Sequence, residues 1–87
     1  MCLKYSYTSK SHLIMYLKSD DLAKIKILGQ NIRRIRTDRK LTMQQLANQA
    51  DIELSQIYRI ETAKINPKFI TVLNIAKALE IDPKDLF

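Results

Sequence analysis

The sequence TMQQLANQADIELSQIYRIE, from Thr42 to Glu61, sets two short apolar repeats on either side of a turn. Leu46, Ala50, Ile52, Ile57 and Ile60 are its apolar positions, with the small Ala47 beside Leu46. At helical spacing, one helix buries Leu46 and Ala50, Ile52 plugs the turn, and the next helix buries Ile57 and Ile60 against the same core. Ala47 is small where two steeply crossing helices bring their backbones together. The pattern predicts a helix-turn-helix, whose second helix is free to lay its exposed face in a DNA major groove.

The flanking residues extend the pattern. Leu28-Gly29-Gln30-Asn31-Ile32-Arg33, Leu41-Thr42, Leu46-Ala47, Ile57-Tyr58-Arg59-Ile60-Glu61, Asn66-Pro67, Leu73 and Ile75-Ala76-Lys77-Ala78-Leu79 follow one another without an evident gap. Over Leu28 to Phe87 the chain resembles the Cro/CI-type repressor domains of the Xre family. That resemblance implies an all-α fold of five short helices, lambda-repressor-like, that binds operator DNA as a dimer.

Composition limits the alternatives. The chain has 87 residues, 46% of them hydrophobic, enough for one domain with one modest core. One Gly and two Pro favour helices over a turn-rich β fold. A single cysteine, Cys2, allows no intrachain disulfide and fits a cytoplasmic location. No segment approaches the roughly 18 to 20 apolar residues that span a membrane, and Leu13 to Leu17 is too short for a signal-peptide core.

The net charge of +6 suggests an anionic partner, and its distribution is uneven. Residues 1–19 carry +3, residues 20–50 carry +4, and residues 51–87 carry −1. This asymmetry suits DNA on one side and a protein partner on the other, although a solvated helix surface would also carry such charges.

Residues 1–18 form an N-terminal extension, and 19–87 the helix-turn-helix domain. Leu3, Tyr5 and Tyr7 alternate with polar residues, so the extension reads as a disordered tail, an arm pairing with a partner chain, or a basic arm touching DNA. Met15 offers an alternative start. Ser19 is placed to cap a first helix running to about Arg39, with Leu22, Ile25, Leu28, Ile32 and Ile35 buried. Gly29 weakens it by about 1 kcal/mol relative to Ala and could break it. Thr42 caps the second helix, to about Gln49, and the third spans Leu54 to Thr62. Asn66-Pro67 opens the fourth, with Phe69, Val72, Leu73, Ala76 and Leu79 inward. Asp82 and Pro83 start a short fifth helix ending at Leu86-Phe87.

On the third helix, Leu54, Ser55, Gln56, Tyr58 and Arg59 face outward. The resemblance assigns base contacts to Leu54, Ser55 and Arg59. The Arg59 fork suits guanine O6 and N7, Ser55 is a tolerant hydrogen-bonding group, and Leu54 can pack on a thymine methyl. The plainer reading makes Arg59 a surface arginine in a helical ion pair. Backbone or flanking contacts are expected from Thr42, Gln44, Gln56, Tyr58, Thr62, Lys64 and Asn66, helped by the free N–H groups where the second helix starts. The resemblance makes Arg36 and Glu61 a structural ion pair joining the first helix to the third. The chain departs from the family pattern at Met43, where Gln is usual, at Asp51 and Ala63, where Gly is usual, and at Glu53, where Ser or Thr caps.

An enzyme is not expected. His12 is the only histidine, the single Gly rules out a Gly-rich phosphate loop, and helix capping accounts for Asp20-Asp21 and Asp82/Asp85. No metal, cofactor or catalytic residue is assigned. The apolar residues Ile70, Ile75, Ile81, Leu86 and Phe87 either complete the core or form a protein-binding surface; Ile70, Ile81, Leu86 and Phe87 are the expected dimer contacts. The sequence therefore points to a homodimeric repressor or controller on double-stranded DNA. The rival is an antitoxin-like module that grips a toxin or other protein and represses its own operon.

Overall fold

The computed structural model describes residues 8–87, with side chains from residue 21 onward. Four α-helices follow in order: α1 (Thr8–Asp38), α2 (Met43–Ala50), α3 (Leu54–Glu61) and α4 (Phe69–Ala78). The expected fifth helix is instead a single 3-10 turn, Pro83–Leu86, capped by the Asp82 side chain, which accepts from the Lys84 N–H. Its backbone bonds span three residues, the Asp85 N–H donating to the Asp82 carbonyl at 2.9 Å and the Phe87 N–H to that of Lys84 at 3.2 Å, which is the 3-10 pattern rather than the α-helical one.

The first helix starts well before the expected cap. It is 31 residues long and takes in residues 8–18, so Ser19 lies inside a helix. Leu3, Tyr5 and Tyr7 lie outside the described residues. Gly29 does not break the helix; it is buried within it. Its missing side chain lets α1 approach α3, because a Cβ there would collide with the Ile60 carbonyl and stand 2.9 Å from that of Glu61.

Thr42 closes a capping box at the start of α2. Its hydroxyl accepts from the Gln45 N–H at 3.0 Å, and the Gln45 side chain accepts from the Thr42 N–H at 2.8 Å. Leu46, Ala47 and Ala50 of α2 meet Ile57 and Ile60 of α3 in the core, with Ile52 packed against them from the turn. Leu28 and Ile32 of α1 and Val72, Ile75, Ala76 and Leu79 of α4 complete that core. Among the other residues expected on the α1 stripe, Ile35 is half-buried against the core, Ile25 is half-buried and Leu22 is exposed.

The fourth helix departs from expectation in start and in phase. Lys68, not Asn66, precedes its first turn, and Pro67 stays outside. Phe69 is 72% exposed, while Thr71 and Ile75 face inward. This helix is apolar on most of its faces, so its own periodicity could not fix its rotation. Leu86 and Ile75 also belong inside: both are fully buried. The Leu86 carbonyl accepts from the Asn31 side chain at 2.8 Å, which pins the chain end onto α1.

All four helices stop in the same way. Lys40, Asp51, Ala63 and Glu80 each take φ 59, in the left-handed region. The next residue's N–H then reaches back five residues, as Ile52 does to Ala47 and Lys64 to Arg59. Leu41, Ile52 and Ile81, which follow three of these residues, pack against the core. No helix among the described residues is long and apolar enough to cross a membrane.

Candidate nucleic-acid interface

Helix α3 is oriented from its buried side. Ile57 and Ile60 are fully buried, which turns Leu54, Ser55, Tyr58 and Arg59 outward; Gln56 is half-buried. Leu54 and Tyr58 are large exposed apolar groups, about half accessible to solvent. No side-chain hydrogen bond caps the helix at Glu53; the Gln56 N–H bonds to the Glu53 carbonyl at 3.0 Å, and those of Leu54 and Ser55 are open to an outside acceptor. The side chains of Ser55, Gln56 and Arg59 carry no hydrogen bond or ion pair among the described residues. The helical ion pair considered for Arg59 is therefore absent among them.

Behind this face, Arg36 and Glu61 form a two-pronged pair. Arg36 Nε donates to one carboxylate oxygen at 2.6 Å and Nη2 to the other at 3.0 Å. The third prong, Nη1, donates to the Leu41 carbonyl at 2.8 Å. One guanidinium thus ties α1, the turn after it and α3 together, and both charged side chains are withdrawn from solvent. Planar bidentate geometry fixes direction as well as distance.

The expected backbone-contacting residues surround α3. Thr42 and Gln44 are exposed at the start of α2, where the Gln44 amide donates to Asn48 Oδ1 at 2.9 Å. Thr62, Lys64 and Asn66 are exposed in the segment after α3. The Thr62 hydroxyl donates to the Tyr58 carbonyl at 2.7 Å, leaving its oxygen able to accept. Met43 is half-buried and packed against the core, so the usual Gln is replaced by a packing residue. The expected protein-contact set is divided: Ile70 and Phe87 are exposed, Ile81 is half-buried, and Leu86 offers no surface at all.

Sequence reasoning missed three parts of this arrangement. It passed over the Arg36–Leu41 link, the role of Asn31 and the partnership of Gln44 with Asn48. The Gln44/Asn48 spacing of four residues was a legible signal. The other two join residues to backbone carbonyls, which carry no sequence signature.

Residues 29–87 match the model of a helix-turn-helix domain family. The immunity repressor protein of Bacillus phage phi105 is 43% identical over 54 residues, covering 62% of this chain and 38% of the phage protein. The HTH-type transcriptional repressor RghR of Bacillus subtilis (strain 168) is 41% identical over 54 residues, covering 61% and 40%. The chain thus spans about two fifths of the length of these relatives. Among solved structures, the restriction-modification controller protein C.AhdI from Aeromonas hydrophila superposes with a TM-score of 0.73 at 31% identity, covering 75% of this chain and 98% of that one. By matched length, identity and fold, the chain belongs to the helix-turn-helix domain family, among its Xre, Cro/CI-type members.

Proposed function

We propose that this chain is a sequence-specific regulator of transcription, a repressor or controller, that binds double-stranded DNA as a homodimer. In this reading α3 enters the major groove of a palindromic operator. The observation that carries it is the contrast within α3, whose inner side is locked by Arg36 and Glu61 while Ser55 and Arg59 have no partner within the described residues. Leu54, Ser55 and Arg59 are the base-reading residues. Thr42, Gln44, Gln56, Tyr58, Thr62, Lys64 and Asn66 hold the phosphates or flanking bases. Such a protein works in the cytoplasm and needs neither cofactor nor metal.

One recognition helix reads few base pairs, so two copies are needed for a useful operator. The self-association surface lies around an open groove of about 260 Å³ between α1, the start of α4 and the chain end. Ile25, Leu28, Pro67, Phe69, Val72 and Phe87 are among its lining residues, and the exposed Ile70 follows Phe69 in α4. Ile70 and Phe87 keep their proposed role, Phe69 joins them, Ile81 adds only its half-exposed edge, and buried Leu86 leaves the set.

Selection of the purified protein on a random duplex library tests this reading. The expected product is a palindrome with half-sites about one helical turn apart, ~34 Å. Arg59→Ala should weaken binding to that site by about 1–3 kcal/mol and relax the preference at one base pair, with helicity unchanged. Equal losses on selected and random DNA would restrict Arg59 to phosphate. No enrichment at all would favour the second reading, in which the same apolar groove seats a toxin-like partner protein.

A further inference from the structure

Two cations on α1 have no role in the arrangement above. Lys26 and Arg33 are exposed, and neither has an ion-pair partner among the described residues. Other cations nearby are engaged: Arg36 with Glu61, and Arg39 with Glu80 at 3.7 Å. The Arg34 side chain donates to Asn31 at 3.4 Å.

Two contacts fix the rotation of α1 against α3. Gly29 lies against the Ile60 and Glu61 carbonyls, and Arg36 reaches the Glu61 carboxylate. Arg33 is four residues after Gly29 and three before Arg36, and Lys26 is three before Gly29. At 3.6 residues per turn, Lys26 and Arg33 lie along the seam where α1 meets α3, about 10.5 Å apart along the helix axis. Leu28 and Ile32 occupy the core side of that seam, so the exposed cations are on its outer side. The same logic applies across the seam. On α3, Glu61 faces α1, Ile57 and Ile60 face the core, and Leu54 and Tyr58 are exposed. Arg33 and Lys26 therefore lie on the same outer side of the α1–α3 contact as Tyr58, at the flank of the recognition face.

We propose that Lys26 and Arg33 form a second phosphate-binding rail, gripping the DNA strand that borders α3 on its Tyr58 side. This rests on the DNA-binding reading above and extends it to α1. A strand running beside a helix in the major groove presents a row of phosphates, and two cations on one edge of a rigid helix meet it without rearrangement. They add affinity and fix the approach of α3, but carry no base preference.

The test compares Arg33→Gln and Lys26→Gln with Arg34→Gln, an equal charge change turned about 100° around the same helix. Binding is read by fluorescence anisotropy across a salt series. The probes are a labelled random-sequence duplex pool and the duplex enriched from it. Arg33→Gln and Lys26→Gln should each make the slope of log K against log salt shallower by about 0.9, on both probes. Arg34→Gln should leave it near the wild-type value, and the sequence preference should survive in all three. Equal slopes for the Arg33 and Arg34 variants would reduce the effect to net charge and overturn the rail. A wild-type protein that binds neither probe would overturn the DNA-binding reading and the rail together; wild-type binding with an unchanged Arg33→Gln slope would overturn the rail alone.

Discussion

At its C-terminal turn, α3 is joined to α1 by a two-pronged ion pair and by the Gly29 backbone lying on two of its carbonyls. At its N-terminal turn no side chain caps it, and Leu54 and Ser55 stand exposed. The same eight-residue helix is thus over-determined at one end and open at the other. The outward groups of α3, Ser55 and Arg59, are unpaired among the described residues and left free for an outside partner. The orientation of α3 then has to come from residues that do no recognising. Arg36, Glu61 and Gly29 supply that orientation here, and substitutions at the two ends should separate stability from binding.

The largest effect is expected at Glu61→Ala. It strands the withdrawn Arg36 guanidinium with only the Leu41 carbonyl, and should cost about 3 kcal/mol or more in urea unfolding. Replacing both partners, as Arg36→Met with Glu61→Leu, should cost less than the single change, because no buried charge is left alone. A loss for Glu61→Ala below about 1 kcal/mol would mean that the pair behaves like a surface ion pair. The fastening would then rest on packing.

Next in size is Gly29→Ala. Helix propensity alone favours the change by about 1 kcal/mol. The added methyl, however, would strike main-chain carbonyls of α3 rather than a side chain able to turn away. The expected net result is a loss of about 2 kcal/mol, with α3 displaced and DNA affinity lowered as well. A gain in stability would show that α1 and α3 can part by a few tenths of an ångström at no cost. The close approach would then have no fastening role.

The two ends also differ in how far the sequence disclosed them. Helices α2 and α3 were legible because each pairs a clear apolar stripe with an opposite polar face. Thr42, Leu46, Ile57 and Ile60 fix their starts and rotations. Helix α4 was not, since Phe69, Ile70, Val72, Leu73, Ile75, Ala76 and Leu79 leave several rotations equally apolar. Its phase follows from what α2 and the Pro83–Leu86 turn leave open, so Phe69 went out and Ile75 in. The Arg36–Glu61 pairing came from family resemblance, because two charges twenty-five residues apart carry no local signal. The start of α1 was misplaced because Ser19-Asp20-Asp21 is a good capping sequence that a longer helix can also contain.

The smallest expected effect concerns the backbone where α2 and α3 end. Ala63 and Asp51 both adopt φ 59, a conformation that glycine reaches without a Cβ penalty. Ala63→Gly should stabilise the fold by about 0.5 kcal/mol, the relief of left-handed strain being partly offset by greater freedom in the unfolded chain. Asp51→Gly should gain less, because Asp tolerates this region better than Ala does. Thermal unfolding of the two variants side by side gives the order. If Ala63→Gly instead destabilises, Ala63 contributes packing at the C-terminal end of α3 that outweighs its backbone strain. The fastening of that end would then extend past Glu61 into the turn itself, where Ala63 is already half-buried.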